Sequence, residues 1–174
     1  MSMLIICIIG MFVLLLEATW LRQVAIFEIA PNLSLILVVF WSILQGSERG
    51  RRFGLWIGLL QDFLFCKVIG FYGLVYYVLG HVCGYFKRDF YKGHYILPFL
   101  IVSAADLIYG MLHYVFYGFF QGKLNIGFYL QEKILPEMFY TALISLPFYL
   151  VLYLLSRGLE HFERFLKSGK EKKL

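Results

Sequence analysis

The sequence predicts an all-α integral membrane protein, a bundle of six transmembrane helices with both termini in the cytoplasm. Three observations carry this prediction: the apolar content, its division into long continuous runs, and the placement of Lys and Arg. Of the 174 residues, 61% are hydrophobic and only 16% are charged, and the mean hydropathy is +0.76. An ordinary soluble domain is about 45–50% apolar and about 25% charged, so a soluble core could not hide this much apolar surface. At about 20 residues per span, the chain holds spans and short connections with no separate soluble module.

The apolar runs occupy residues 3–21, 33–44, 53–65, 71–86, 96–120 and 134–155. They do not alternate with period two, which excludes a β-barrel and leaves helices to satisfy the backbone in lipid. The first run has neither a basic leader nor a small-residue cleavage site, so it reads as a span and not a removable signal. The second and third runs are short, since twelve residues of helix rise about 18 Å against a hydrocarbon core of about 30 Å. A re-entrant hairpin there would place Arg49, Arg51 and Arg52 at mid-depth, which costs more than thinning the bilayer. Both runs are therefore expected to span, the second from about Ile29 and the third to about Ile69. Pro31, Pro98 and Pro136 are expected in first helical turns, where a missing N–H costs nothing, and Pro147 is expected to kink the sixth helix.

Charge placement sets the orientation. Twelve of the 16 Lys and Arg residues fall in 45–52, 87–95 and 156–174, and four fall in the opposite connections. The positive-inside rule puts the first set in the cytoplasm, with Arg49, Arg51, Arg52, Lys87 and Arg88 forming a basic edge. Residues 1–156 then make the transmembrane domain. Residues 157–174 make a basic amphipathic tail ending in Lys170, Lys172 and Lys173, suited to anionic lipid or a cytoplasmic partner. The net charge of +5 thus encodes topology and does not point to nucleic acid.

The most informative stretch is a row of small residues spaced by four, Gly46, Gly50, Gly54 and Gly58, ending at Asp62. Such residues share one inclined face of a helix and let a neighbouring backbone approach closely. Gly80 and Gly84 offer a second groove. The row serves either packing within the bundle or docking of another membrane protein. Glu17, Asp106 and Glu137 are further carboxyls within spans, and Asp62 and Asp106 are both expected near mid-depth. His81, His113, Ser103, Thr141 and Ser145 are their candidate partners. A satisfied structural carboxyl and a proton- or ion-coupling group are both compatible with this pattern. Cys7, Cys66 and Cys83 lie far apart without metal-ligand spacing and read as small buried hydrophobes. No hydrolase, zinc-protease or P-loop signature is present, so no catalytic residue, cofactor or metal set is expected.

These residues resemble a family. Pro31-Asn32-Leu33 opening the second span, the glycine series, Gly58-Leu59-Leu60-Gln61-Asp62, Gly70, Gly73-Leu74 and Gly84-Tyr85 are similar to the rod shape-determining protein MreD of bacteria. The motif resemblance lies before about Lys87, while size and span number match along nearly the whole chain. It implies a non-enzymatic subunit of the cell-elongation machinery in the inner membrane. The partners it implies are the single-span protein MreC and, through it, MreB, RodA and an elongation transpeptidase. On this reading the Gly54, Gly58 and Asp62 face is a candidate seat for the MreC transmembrane helix. The MreD family also resembles in fold the six-helix substrate-binding subunits of energy-coupling-factor vitamin transporters, which sets transport as the alternative. Those subunits dock through an Ala-x-x-x-Ala pattern on the first helix. Here the nearby small residues, Gly10 and Ala18, are wrongly spaced, and the outer loops are poor in polar groups.

Overall fold

The computed structural model describes residues 3–21, 30–65, 70–87, 96–119 and 126–148. All secondary structure among these residues is helical, in six segments. α1 (Met3–Leu16) continues into a π-helical turn (Glu17–Leu21), and α2 spans Leu33–Gln45. α3 spans Ser47–Phe65, and α4 (Phe71–Cys83) tightens into a 3₁₀ turn at Gly84–Phe86. α5 (Ile96–His113) widens to π form over Tyr114–Phe119. α6 opens at Ile126–Tyr129, passes through a π stretch at Leu130–Ile134 and runs on as α-helix over 135–148.

α2 is the axis of the bundle. Every residue from Leu33 to Ile43 is buried, polar Ser34 and Ser42 included. A helix that is apolar all round belongs inside other helices. Its 13 residues rise about 20 Å, short for a bilayer, but its surroundings are protein and not lipid. One stretch among the described residues, Phe99–Phe116, is long and apolar enough to cross a membrane by length and composition. The expected extension of the second span back to about Ile29 is not helical where it is described: residues 30–32 lie outside the helix, with Asn32 as its N-cap. The extension of the third span over 66–69 falls outside the described residues, as do the tail and Arg88, Lys170, Lys172 and Lys173.

The other helices turn apolar side chains both ways. α1 buries Ile6, Val13 and Leu14 and exposes Ile8, Met11, Phe12 and Leu15. α3 exposes Leu55, Leu59 and Phe63, α4 Leu74 and Val78, α5 Ile108 and Met111, and α6 Phe139 and Leu143. Apolar surface spread over every outer helix is what water excludes and lipid accepts.

Two expectations are corrected. The break at 45–52 is a single residue: Gly46, at φ +93°, joins α2 directly to α3. That backbone conformation suits glycine because it has no Cβ. Arg49, Arg51 and Arg52 consequently sit on the first turns of α3, where Arg51 and Arg52 pair with Glu48 and Arg49 donates to Gln45 Oε1 at 2.6 Å. Because α3 begins at Ser47, Asp62 lies near its far end.

Proline placement also differs. Pro98 is in the first turn of α5, but Pro31 precedes the N-cap of α2, and Pro136 lies inside α6. The π stretch at Leu130–Ile134 ends just before Pro136. A proline there offers no N–H and crowds the carbonyl one turn earlier, which a widened turn accommodates. Pro147 is the penultimate described residue of α6, and the helix is continuous through 148.

Candidate functional site

The glycine row builds a close backbone-to-backbone contact between antiparallel α3 and α4. A Cβ on Gly50 would stand 2.6 Å from the Gly80 carbonyl oxygen, and one on Gly80 would stand 2.6 Å from that of Gly50. One on Gly54 would meet the Tyr76 carbonyl, one on Gly58 the Tyr72 carbonyl, and one on Gly84 the Ser47 backbone. Each step of four along α3 is matched by a step of four back along α4. The two glycine grooves read from the sequence therefore face each other. A partner helix could reach Gly54 or Gly58 only by displacing α4.

Both ends of this hairpin are pinned by side chains. At one end Ser47 Oγ bonds His81 Nδ1 at 2.6 Å, Tyr85 bonds His81 Nε2 at 3.1 Å, and Lys87 donates to the Gln45 carbonyl at 3.3 Å. This brings Arg49, Arg51, Arg52 and Lys87 to one end of the bundle. His81 is thus taken by hydroxyls and does not partner a carboxyl, contrary to expectation. At the other end Asp62, fully buried, accepts from the N–H groups of Gly70 (3.1 Å), Tyr72 (3.0 Å) and Gly73 (2.9 Å). These are orphan donors at the start of α4, and the helix dipole there favours an anion. Gly70, at φ +108°, supplies the turn that aims them. Asp62 is a helix cap supplied by the preceding helix.

The start of α2 lies at the same end and is capped twice. Asn32 Oδ1 accepts from Leu35 N–H at 2.9 Å, and Glu17 accepts from Ser34 N–H at 2.8 Å and from its hydroxyl. The π turn at the end of α1 carries Glu17 into that position. Asn32 is also a hub: Tyr76 donates to its Oδ1 at 3.1 Å, and its own N–H donates to Thr141 Oγ1 at 3.3 Å. Thr141 in turn hydrogen-bonds Asp106, whose Oδ1 has no partner among the described residues. One polar chain thus crosses α2, α4, α5 and α6. Of the candidate partners, Thr141 reaches Asp106. Ser103 and Ser145 bond carbonyls of their own helix, and His113 lies 3.5 Å from the Tyr129 hydroxyl.

A cavity of about 330 Å³ opens beside this network, lined by Glu17, Asn32, Gln61, Tyr72, Tyr109 and Glu137 among others. A smaller one of about 160 Å³ shares Tyr72, Tyr109 and Glu137 and adds His113, Tyr129 and Lys133. Polar groups that the loops lack are therefore supplied by helix ends. Gln61 and the three tyrosines Tyr72, Tyr76 and Tyr109 were not singled out from the sequence. Their signal was polar tips inside apolar runs, which among 13 tyrosines did not stand out from interfacial ones. Among the described residues no group of three or more His, Cys, Asp or Glu is placed to hold a metal ion.

Comparison with known proteins gives one match. The family model for rod shape-determining protein MreD covers residues 1–159 of the chain. No curated protein and no solved structure matches. The match takes in nearly the whole chain, α1 to α6 included, and the chain belongs to the MreD family. That family is one of membrane proteins, and its role is in determining rod shape.

Proposed function

We propose that this member of the MreD family is a non-enzymatic scaffold of the cell-elongation complex. It crosses the bacterial inner membrane six times with both termini in the cytoplasm. The observation that carries the reading is the family match over residues 1–159. The apolar outer surface of α1, α3, α4, α5 and α6 supports embedding in lipid. The gathering of Arg49, Arg51, Arg52 and Lys87 at one end supports a cytoplasmic edge there, with Asp62 and Asn32 toward the outside. Residues 157–174 then form the basic tail on the same side.

The scaffold holds the MreC transmembrane helix and through it engages MreB, RodA and an elongation transpeptidase. Since α4 fills the glycine face, the MreC helix packs on an outward apolar row. The test is photo-crosslinking from single outward positions, one per outer helix, in cells expressing MreC. The reading expects crosslinks confined to one face and a reporter after Leu174 that is active only in the cytoplasm. Absence of crosslinks from every face, with no co-purification, overturns it.

A second reading, a substrate-binding subunit of a small-molecule transporter, draws on the cavity at the outer end. Against it, the small residues of α1 do not make a docking face. Gly10 is buried against Phe53, Trp56 and Ile57, and Ala18 lines the cavity.

A further inference from the structure

Tyrosines inside this bundle find partners. Tyr76 donates to Asn32 and Tyr109 to Tyr72, each at 3.1 Å, because a buried hydroxyl left unpaired is costly. Tyr85, at the basic end of the α3–α4 hairpin, bonds His81. Tyr77 is the exception on α4. It is 37% exposed and makes no hydrogen bond among the described residues. It stands between Phe71 and Phe86, about 9 Å along the helix axis from the first and about 14 Å from the second. Interfacial tyrosines reach the headgroups from helix ends, and Tyr77 is at neither end. Lipid hydrocarbon offers a hydroxyl no acceptor.

The surface around Tyr77 is shaped by the glycine seam. A Cβ on Gly54 would stand 3.3 Å from the Tyr77 amide nitrogen, so Tyr77 flanks the line where the α3 and α4 backbones touch. Leu55 follows Gly54 on the outer side of α3 and is exposed. Leu59 reaches across to α4, its Cδ2 standing 3.0 Å from where a Gly73 Cβ would be. Leu74 and Val78 are the exposed neighbours on α4. These two rows border the groove that packed helices leave on their outer side. The hairpin is pinned by Ser47 and His81 at one end and by Asp62 at the other, so the groove is preformed. Apolar borders with one hydroxyl between them fit a membrane helix. Its backbone carbonyls and small polar side chains supply the acceptor that acyl chains lack.

We propose that the outer face of the α3–α4 hairpin seats a partner transmembrane helix, with the Tyr77 hydroxyl donating to an acceptor within that helix. On the scaffold reading, on which this proposal rests, the helix is that of MreC. Leu55, Leu59, Leu74 and Val78 supply apolar contact, and Tyr77 sets the register, since one hydroxyl admits one position of the acceptor. Tyr140 on α6 also makes no hydrogen bond among the described residues. It is half-buried, however, and the adjoining Thr141 and Ala142 lie inside the bundle, so Tyr140 serves as the control.

The test uses the full-length protein co-expressed with MreC and extracted in mild detergent. Tyr77→Phe removes only the hydroxyl and should lower co-purified MreC by about three- to tenfold, the worth of one interhelical hydrogen bond. Its midpoint of unfolding in SDS should equal that of wild type, because the hydroxyl bonds nothing in the fold. Tyr140→Phe should leave both readouts unchanged. A photoreactive benzophenone side chain placed at Leu55 or Val78 should crosslink to MreC, and one placed at Ile8 or Leu143 should not. Crosslinks to MreC from Ile8 or Leu143 alone would overturn the seat and leave the scaffold reading intact. Undiminished MreC with Tyr77→Phe would overturn the proposal, and so would a lowered midpoint, which would give the hydroxyl to the fold. Crosslinks from Leu55 and Val78 only to a second copy of this chain would overturn it too. No crosslink from any position and no co-purification would overturn the scaffold reading with it.

Discussion

Replacing Gly54 with Ala adds one methyl group to the narrowest part of the bundle. That methyl would stand 2.7 Å from the Tyr76 carbonyl carbon and closer still to its oxygen. Carbon atoms prefer about 3.5–4.0 Å, so α3 and α4 must part locally by about 1 Å. The obstacle is backbone, which cannot swing aside as a side chain does. Parting by about 0.5–1 Å forfeits a quarter to a half of each dispersion contact along the seam. Overpacking of this kind typically costs about 1–3 kcal/mol. Helix propensity opposes it, because Ala is better than Gly by about 0.5–1 kcal/mol in a helix interior. The net expectation is a loss of about 1–2 kcal/mol.

The sign is the discriminating quantity, and Gly127 provides the control. It too lies in a helical turn, but among the described residues a Cβ there meets nothing within 4 Å. Gly127→Ala should be neutral or stabilising by up to about 1 kcal/mol. Both variants are measured by titrating the purified protein from mild detergent into SDS and following helix content. The reasoning is refuted if Gly54→Ala unfolds no earlier than wild type, or if both substitutions shift the midpoint the same way.

Two further expectations concern the α4 cap. Asp62→Asn keeps the shape but loses the anion that holds three N–H groups, and should cost about 2–3 kcal/mol. Amide exchange in the first turn of α4 should rise with it, and unchanged protection there would show that the cap is dispensable. Gly70→Ala should cost about 1–2 kcal/mol although no described residue lies within 4 Å of the added Cβ, because φ is +108°. The SDS midpoint reads this directly, and a midpoint equal to wild type would mean the turn relaxes without strain.

Much of the bundle was legible because membrane helices advertise themselves by continuous apolar runs, and the starts of α2, α4 and α5 fall on the predicted ones. The i, i+4 glycines were equally legible as a close-packing face, but which helix approaches it is a tertiary fact. Gly80 and Gly84 were the available clue, since a groove on the next helix in matching antiparallel steps is its natural occupant. The 45–52 connection was misread because charge marks the membrane edge without marking where a helix begins. That error hid the role of Asp62, which depends on lying beside Gly70. The polar network through Asn32, Tyr76 and Thr141 joins residues 44 and 109 positions apart, and no local pattern carries that.

The closed seam has a consequence for partner binding that can be set against the glycine-docking idea. Gly58 can serve α4 or a partner helix but not both, since a Cβ there would already stand 2.7 Å from Gly73 Cα. Gly58→Leu should therefore lower the SDS midpoint of the isolated protein, and any loss of MreC binding should follow from that. A partner seated on an outer row should respond to side chains that the fold does not need. Phe63 is 77% exposed, Ile8 69%, Leu143 65% and Leu74 64%, one on each of four helices. Truncating each to Ala removes little buried surface, so stability should move by no more than about 0.5 kcal/mol. At least one of the four should weaken co-purification with MreC while keeping the wild-type midpoint. If Gly58→Leu instead keeps that midpoint and loses MreC, the partner does reach the glycine row, and α4 must leave it for the complex to form.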